Sequence, residues 1–439
     1  MILGGPPSFE AARAVADAIL YEGYLLYPYR RSSGKNRVRW QFGVLTPRSW
    51  LAPAAERDTG VAGSADAWRQ WTECLLEAHE DATVHMRLRF LQIQHRSVQA
   101  RLPGTGFEPV DELVVHGDRH LTFDEAVPRE YDVTASVADI RRAPHVADVI
   151  APAGEEIVPL GDLGRVVRTC RPVSARVRLS ARPADSPFPL LRLRLAIENT
   201  ACSPSAGAPR TEALRVSLVA THSLLGVTGG SFLSLLDPPE WAAAAARNCR
   251  NIHTFPVLAG AEGGRDVLLS SPILMDDHPR VSPESPGDLF DATEIDEILS
   301  LRTLTLTEEE KREARATDPR AAAIVDRVEQ VPREVLARLH GAVRSPRRPA
   351  TPETVVVDGF RVTRGSRVRL RPRAHGTDAH DMFLAGRVGV VQAVRTDLDG
   401  SRHVAVTIED DPAADLHEWY GRYHYFAPEE VVPLKEPEP

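Results

Sequence analysis

TVHMRLRFLQIQHRSVQA, residues Thr83–Ala100, sets apolar Val84, Met86, Leu88 and Phe90 against polar neighbours at every second position. A spacing of two puts one face of a half-buried strand toward a core, whereas a helix repeats every 3.6 residues. On its N-terminal side lies DAWRQWTECLLEAHEDA, Asp66–Ala82, with Trp68, Trp71, Leu75 and Leu76 near helical spacing. That stretch predicts a helix. Further back, Ser8 can cap an Ala-rich helix reaching Tyr21, and RVRWQFGVL, Arg37–Leu45, reads as a strand. Residues 1–150 are therefore expected to form an α+β unit.

On the C-terminal side the pattern becomes β-rich. SARVRLSARPADSPFPLLRLRLAIENT, Ser174–Thr200, contains two alternating runs around a Pro-rich turn, and EALRVSLVATHSLLG adds another strand. VTGGS, Val227–Ser231, reads as a turn between buried strands. PPEWAAAAARNC predicts a short helix. Beyond Asp291 helices take over. Thr307 with Glu310 spells a capping box, Asp318-Pro319 pairs an N-cap with an N1 proline, and Pro332 can open a last helix. Residues 151–343 are thus expected to form a sandwich-like antiparallel layer followed by helices. A Pro- and Arg-rich linker is expected at 344–353 and a separate small β unit at 354–439. The fold class expected is α+β and multidomain.

The 439 residues suit two or three domains of roughly 100–200 residues each. A hydrophobic share of 43% supports real cores, and a formal net charge of -8 opposes a protein that coats nucleic acid. Only Lys35, Lys311 and Lys435 are lysine among the 53 basic residues, a skew that points to GC-rich coding and discounts arginine clusters as functional signals. Cys74, Cys170, Cys202 and Cys249 form no C-x-x-C pair, which fits reduced cytosolic thiols. The opening residues lack the pattern of a secretion signal, so a cytoplasmic location is expected. The uncharged run Val216–Leu236 carries too many Ser, Thr and Gly residues for a membrane span.

Several stretches could carry chemistry. YEGYLLYPYRRSSGKNRVRWQFGVL, Tyr21–Leu45, surrounds Arg30, Arg31, Lys35, Arg37 and Arg39 with four tyrosines and Trp40. Its SGKN lacks the first glycine and the hydroxyl of a P-loop, so nucleotide binding is not indicated. The basic loop is instead a candidate contact for a protein partner. Asp276, Asp277 and His278 open an acidic segment running to Glu297 that could hold a hard cation, although calcium-loop spacing is missing. A metal-dependent enzyme using that segment is the alternative function. Cys249 and His253, four apart, could share a helical face but do not make a zinc site. HEWYGRYHYF adds Trp419, Tyr420 and Tyr423 as candidate partner contacts, and Gly421 breaks an H-E-x-x-H metal motif. No cofactor motif is present: GGSFL around Ser231 is not a nucleophile elbow, and PGTGFEP ends on Pro109 where a dinucleotide fingerprint needs glycine.

GSRVRLRPR, LAGRVGVVQAVRTDLDGSRHVAVTIEDDP and PEEVVPL resemble the strands of small SH3-like barrels of the KOW and nitrile-hydratase-β type. The resemblance implies a fold and little about role. Taken with SPILMDDHPRVSPESPGDLFDATEIDEILSLRTLTLTEEEK and HEWYGRYHYFAPEEVVPL, the Tyr21–Leu45 stretch resembles proteins encoded beside uptake NiFe-hydrogenases in GC-rich bacteria. This resemblance implies a non-catalytic accessory, assembly or scaffold role, with hydrogenase subunits or maturation factors as partners. It transfers no catalytic residue. Nucleic-acid binding through the basic loop and the terminal barrel is the weakest alternative, given the negative net charge.

Overall fold

The structure is a computed structural model that describes residues 8–37, 39–40, 42–51, 66–104, 106–202, 208–281, 289–290, 296–330, 354–357, 359–371, 384–396, 402–409 and 423–434. It is mostly β with some helices, and it divides into two compact units, Met1–Ala342 and Val343–Pro439. The expected linker at 344–353 lies outside the described residues.

One strand organises the first unit. β1 runs from Arg69 to Arg101, roughly 110 Å of contour at strand rise. Partners of ordinary length cannot cover such a strand, so five share it. They are β2 (Phe107–Val110), β5 (Phe123–Ser136), β8 (Gly164–Cys170), β10 (Leu191–Asn199) and β11 (Val219–Leu233). Along one edge come β10 on Arg69–Leu76, β5 on Thr83–Arg96 and β2 on Val98–Arg101. The other edge carries β11 on Leu75–Leu91 and β8 on Gln94–Ala100. Outside these lie β6 (His145–Ala151) and β9 (Val173–Pro183) beyond β10, β7 (Gly154–Leu160) beyond β8, and β12 (Phe255–Leu258) with β13 (Val267–Ser271) beyond β11. β3 (Glu112–Val115) and β4 (Asp118–Leu121) form a hairpin of their own. The expected boundary at residue 150 falls within this sheet, which takes strands from both sides of it.

The alternation of Thr83–Ala100 does its expected work. Val84, Met86, Leu88 and Phe90 enter one core with Val177, Leu195 and Leu225. Leu91 and Ile93 face a second core with Tyr24, Trp40, Leu299 and Ile324. The expected helix at Asp66–Ala82 is instead the start of β1. Cys74 and Leu76 enter the first core while Leu75 packs beside Ala242 and Ala245, so both faces of the strand are covered and the alternation disappears from the sequence. VTGGS likewise continues β11 and is not a turn. Gly230 pairs with Ala78, and a Cβ there would lie 2.6 Å from the Glu77 carbonyl oxygen, so only glycine admits the neighbouring backbone. The described part of Arg37–Leu45 forms no strand. Trp40 and Gly43 adopt left-handed backbone angles, and Leu45 makes only isolated bridges to Leu218 and Ala67.

Most helices pack away from the first core, whereas Val137 and Ile140 of the helix Val137–Arg142 enter it. α1 (Glu10–Tyr21) lays Val15, Ala16 and Ile19 on Leu224 and Leu269. α2 (Val137–Arg142), α3 (Arg210–Leu214) and α4 (Ala243–Arg247) are single turns or little more. α4 stops before Cys249, and His253 has a left-handed backbone, so those two residues share no helical face. α5 (Asp296–Leu304), α6 (Glu308–Thr317) and α7 (Pro319–Gln330) follow. The Thr307–Glu310 capping box is formed in both directions, and Asp318 Oδ1 accepts the Arg320 N–H at 2.7 Å. No helix among the described residues is long and apolar enough to cross a membrane.

The second unit contains a hairpin of β14 (Val355–Val357) and β15 (Phe360–Val362). Beside it, β16 (Arg367–Leu370), β17 (Val388–Thr396), β18 (Arg402–Ile408), β19 (His424–Phe426) and β20 (Val431–Pro433) form an antiparallel sheet in the order β19-β18-β17-β16-β20. Val368, Val391, Val404, Val406 and Phe426 supply its core.

Candidate docking surface

The basic, aromatic stretch Tyr21–Leu45 turns inward. Tyr21, Tyr24, Tyr29 and Trp40 are buried; Tyr24 donates its hydroxyl to Asp318 at 2.8 Å and Tyr29 donates to the Leu289 carbonyl at 3.0 Å. Arg39 is buried between two rings, its guanidinium carbon 3.8 Å from the Trp40 centroid and 3.9 Å from that of Phe123. It donates to the Tyr24 and Asp124 carbonyls. Burial lowers its pKa to about 10, so it stays a cation at neutral pH.

The loop arginines meet acids of the same chain. Arg30 pairs with Glu310 at 2.9 Å and Arg31 with Asp111 at 2.7 Å, while Ser32 donates to Glu313. Lys35 is exposed in the Gly34–Arg37 turn, and the side chain of Arg37 lies outside the described residues. Asn36, at the position where a P-loop needs a hydroxyl, bonds Leu26 through both amide atoms and also reaches the Arg30 carbonyl. The loop is a clasp tying the N-terminal segment to α6.

In the acidic segment, Asp277 accepts the Leu258 N–H at 2.7 Å on one oxygen and the Ser234 hydroxyl on the other. Both oxygens thus hold a turn together. Asp276 is exposed, and His278 donates its backbone N–H to the Leu258 carbonyl from a left-handed conformation. Among the described residues no group of three His, Cys, Asp or Glu side chains could hold a metal ion. The acids at 288, 291 and 294 lie outside the described residues, as do the side chains of Asp296 and Glu297. Trp419 and Tyr420 lie outside them too, and Tyr423 is half-buried ahead of β19.

A polar network that the sequence did not signal runs beside Arg39. His95 on β1 and Asp124 on β5 are cross-strand partners, with Nδ1 2.6 Å from the carboxylate. Arg215 donates to the same carboxylate at 3.2 Å. Arg215 Nη2 also lies 2.9 Å from Nδ1, so this ring nitrogen sits between an anion and a donor-only cation. Burial alone would raise the Asp124 pKa, but His95, Arg215 and Arg39 together hold it below the usual carboxylate value. Arg96, also buried, binds Glu125 at 2.7 Å and the Thr317 carbonyl at 2.7 Å, joining β1 to the end of α6. Two strands brought into register make this pair; 29 residues separate its members along the chain, so no motif spacing could reveal it.

The distal end of β1 is different in kind. Past Ser97 its flanks are β2 and β8 alone, and backbone bonds gather the chain there: Arg101 N–H to the Leu163 carbonyl at 2.8 Å and Leu102 N–H to the Gly106 carbonyl at 3.0 Å. Phe107 lies opposite Arg101. Leu102, Phe107 and Leu163 are 41%, 40% and 50% exposed. Gly164 permits this closure, because a Cβ there would sit 2.3 Å from the Gln99 carbonyl oxygen. Among the described residues β7 pairs with β8 alone, and it shows Ile157 and Val158 to solvent. Isolated exposed apolar side chains are ordinary; here three lie at one sheet end beside an open strand edge. Arg165 stacks over Phe107 at 4.1 Å, and Arg101 with Asp162 supplies a charged rim.

No protein-family model matches the chain, and no curated protein does.

Proposed function

We propose that this chain is a non-catalytic accessory protein that docks a partner on the distal end of β1. The observation that carries this reading is the exposed apolar group Leu102, Phe107 and Leu163 beside the open edge of β7. An apolar centre with a charged rim is how protein interfaces are built, and an unpaired edge offers backbone donors and acceptors to an incoming strand. The resemblance of Tyr21–Leu45 and the later stretches to hydrogenase-linked proteins supplies the partner class, a NiFe-hydrogenase subunit or maturation factor in the cytoplasm. In the same reading the five-stranded sheet of the second unit closes as an SH3-like barrel and serves as an auxiliary contact.

The test is affinity purification of the tagged chain from its native host. Hydrogenase subunits or maturation proteins should co-elute with the wild type and be lost with the variant L102D/F107E/L163D, while deletion of residues 354–439 weakens recovery only in part. Elution of the chain alone would refute the hydrogenase association. Undiminished recovery with the triple variant would refute the placement of the docking surface.

A further inference from the structure

We infer that one water molecule is bound inside the first unit, between the start of β1 and the β11–β13 pair, as a fixed part of the fold. The site is a cluster of buried polar side chains beside the first apolar core. Gln70 and Thr72 come from β1, Thr221 and Ser223 from β11, Thr254 from the segment before β12, and Ser270 from β13; none is more than 1% exposed.

Part of this group satisfies itself. Ser270 Oγ lies 2.7 Å from Thr72 Oγ1 and 2.5 Å from Thr254 Oγ1, and Thr254 also reaches the Ser271 carbonyl. The Gln70 amide nitrogen donates to the Thr221 and His253 carbonyls at 3.3 and 3.0 Å. Three atoms remain without a hydrogen bond: Gln70 Oε1, Thr221 Oγ1 and Ser223 Oγ.

These three belong to one place. The Gln70 amide already touches Thr221 through the backbone. Ser223 lies directly opposite Ser270 across the β11–β13 pair, and Ser270 is bonded to Thr72, two residues from Gln70 on the same face of β1. Buried polar atoms without partners each cost about 1–3 kcal/mol, and interior water typically makes about three hydrogen bonds to such groups. One water donates to Gln70 Oε1, which can only accept, and exchanges bonds with the two hydroxyls, which can do either. None of the six side chains is charged, so an ion would lie buried without a counter-charge, and a neutral ligand of water size fits the donor set better.

The test uses crystals of the full chain, grown in parallel with sodium and with rubidium as the monovalent cation. The expected result is one density peak within about 3.2 Å of all three atoms, without anomalous signal in either crystal. Absence of a peak, or side chains turned so that the three atoms bond one another, would overturn the inference. An anomalous rubidium signal would replace water with a monovalent cation and equally overturn it. Oxygen-17 relaxation dispersion in solution offers a second reading: T221V/S223A should hold one fewer long-lived internal water than the wild type, and an unchanged count would count against the site.

Discussion

The two ends of β1 obey the same backbone rules and meet opposite fates. From Arg69 to Leu76 and again from Ala82 to Ile93 the strand is sheathed, with one face in the first core and the other under helices and the N-terminal segment, while His79, Glu80 and Asp81 between them are exposed. From Ser97 onward the strand leaves both large cores; Val98 is still buried, and exposure rises only at Arg101 and at Leu102, Phe107 and Leu163 around the strand's end. Strand formation is therefore settled by pairing, whereas what a strand contributes depends on what covers it. The sheathed part stores stability; the distal end shows apolar side chains to solvent.

Substitutions can sharpen that contrast or break it. Phe90→Ala, in the sheathed part, should cost about 3–5 kcal/mol in urea unfolding of the first unit, whereas Leu163→Ala at the bare end should stay within about 0.5 kcal/mol. Equal losses at the two sites would dissolve the distinction. Arg39→Met should cost about 3 kcal/mol, and Arg39→Lys should not recover it, because an ammonium lacks the fork that serves two carbonyls between two rings. Full recovery by lysine would show that charge alone matters there.

A pH series probes the sheathed centre more gently. His222, paired in register with Arg89, is fully buried, and burial lowers its pKa to about 3 despite a hydrogen bond to the Ala220 carbonyl. Between pH 6.5 and about 3 the unfolded chain binds a proton on this ring and the folded chain does not. Its contribution is therefore intact above pH 6.5 and falls by up to about 1.4 kcal/mol per pH unit as pH drops through that window. His222→Gln should flatten the stability profile between pH 6.5 and 5 relative to wild type; parallel profiles would place the acid sensitivity elsewhere. A smaller loss than at the buried positions is expected at the α6 cap. Thr307→Ala removes the capping hydroxyl and should cost about 1 kcal/mol by thermal unfolding, with Thr307→Ser nearly silent.

Much of the fold could be read from local signals. Thr83–Ala100, the β9 and β10 pair, the strands of the second unit and the Thr307–Glu310 box each carry their rule in a few adjacent residues. Asp66–Ala82 was opaque because burial on both faces erases the period that identifies a strand, and its tryptophans happen to fall at helical intervals. Gly229-Gly230 reads as a turn until Glu77 of the neighbouring strand is seen to need the space. The candidate surface was harder still. Leu102, Phe107 and Leu163 are ordinary residues whose exposure arises only where β1 outruns its cover. Arg30, Arg31 and Arg39 show the converse: a run of cations that looks like a surface is largely consumed by acids, carbonyls and rings of the same chain.

The spine also sets a timetable. Arg69–Leu76 cannot complete its edges until β10 and β11 exist, and Leu75 waits for Leu233. At a synthesis rate of about 5–20 residues per second, the segment leaves the ribosome on the order of ten seconds before its last partner does. Until β10 emerges, Cys74, Leu75 and Leu76 lack the first of their partner strands. A nascent chain of this design passes through a period of exposure to chaperones and to its own neighbours, fixed by the distance along the message between the first strand and the eleventh.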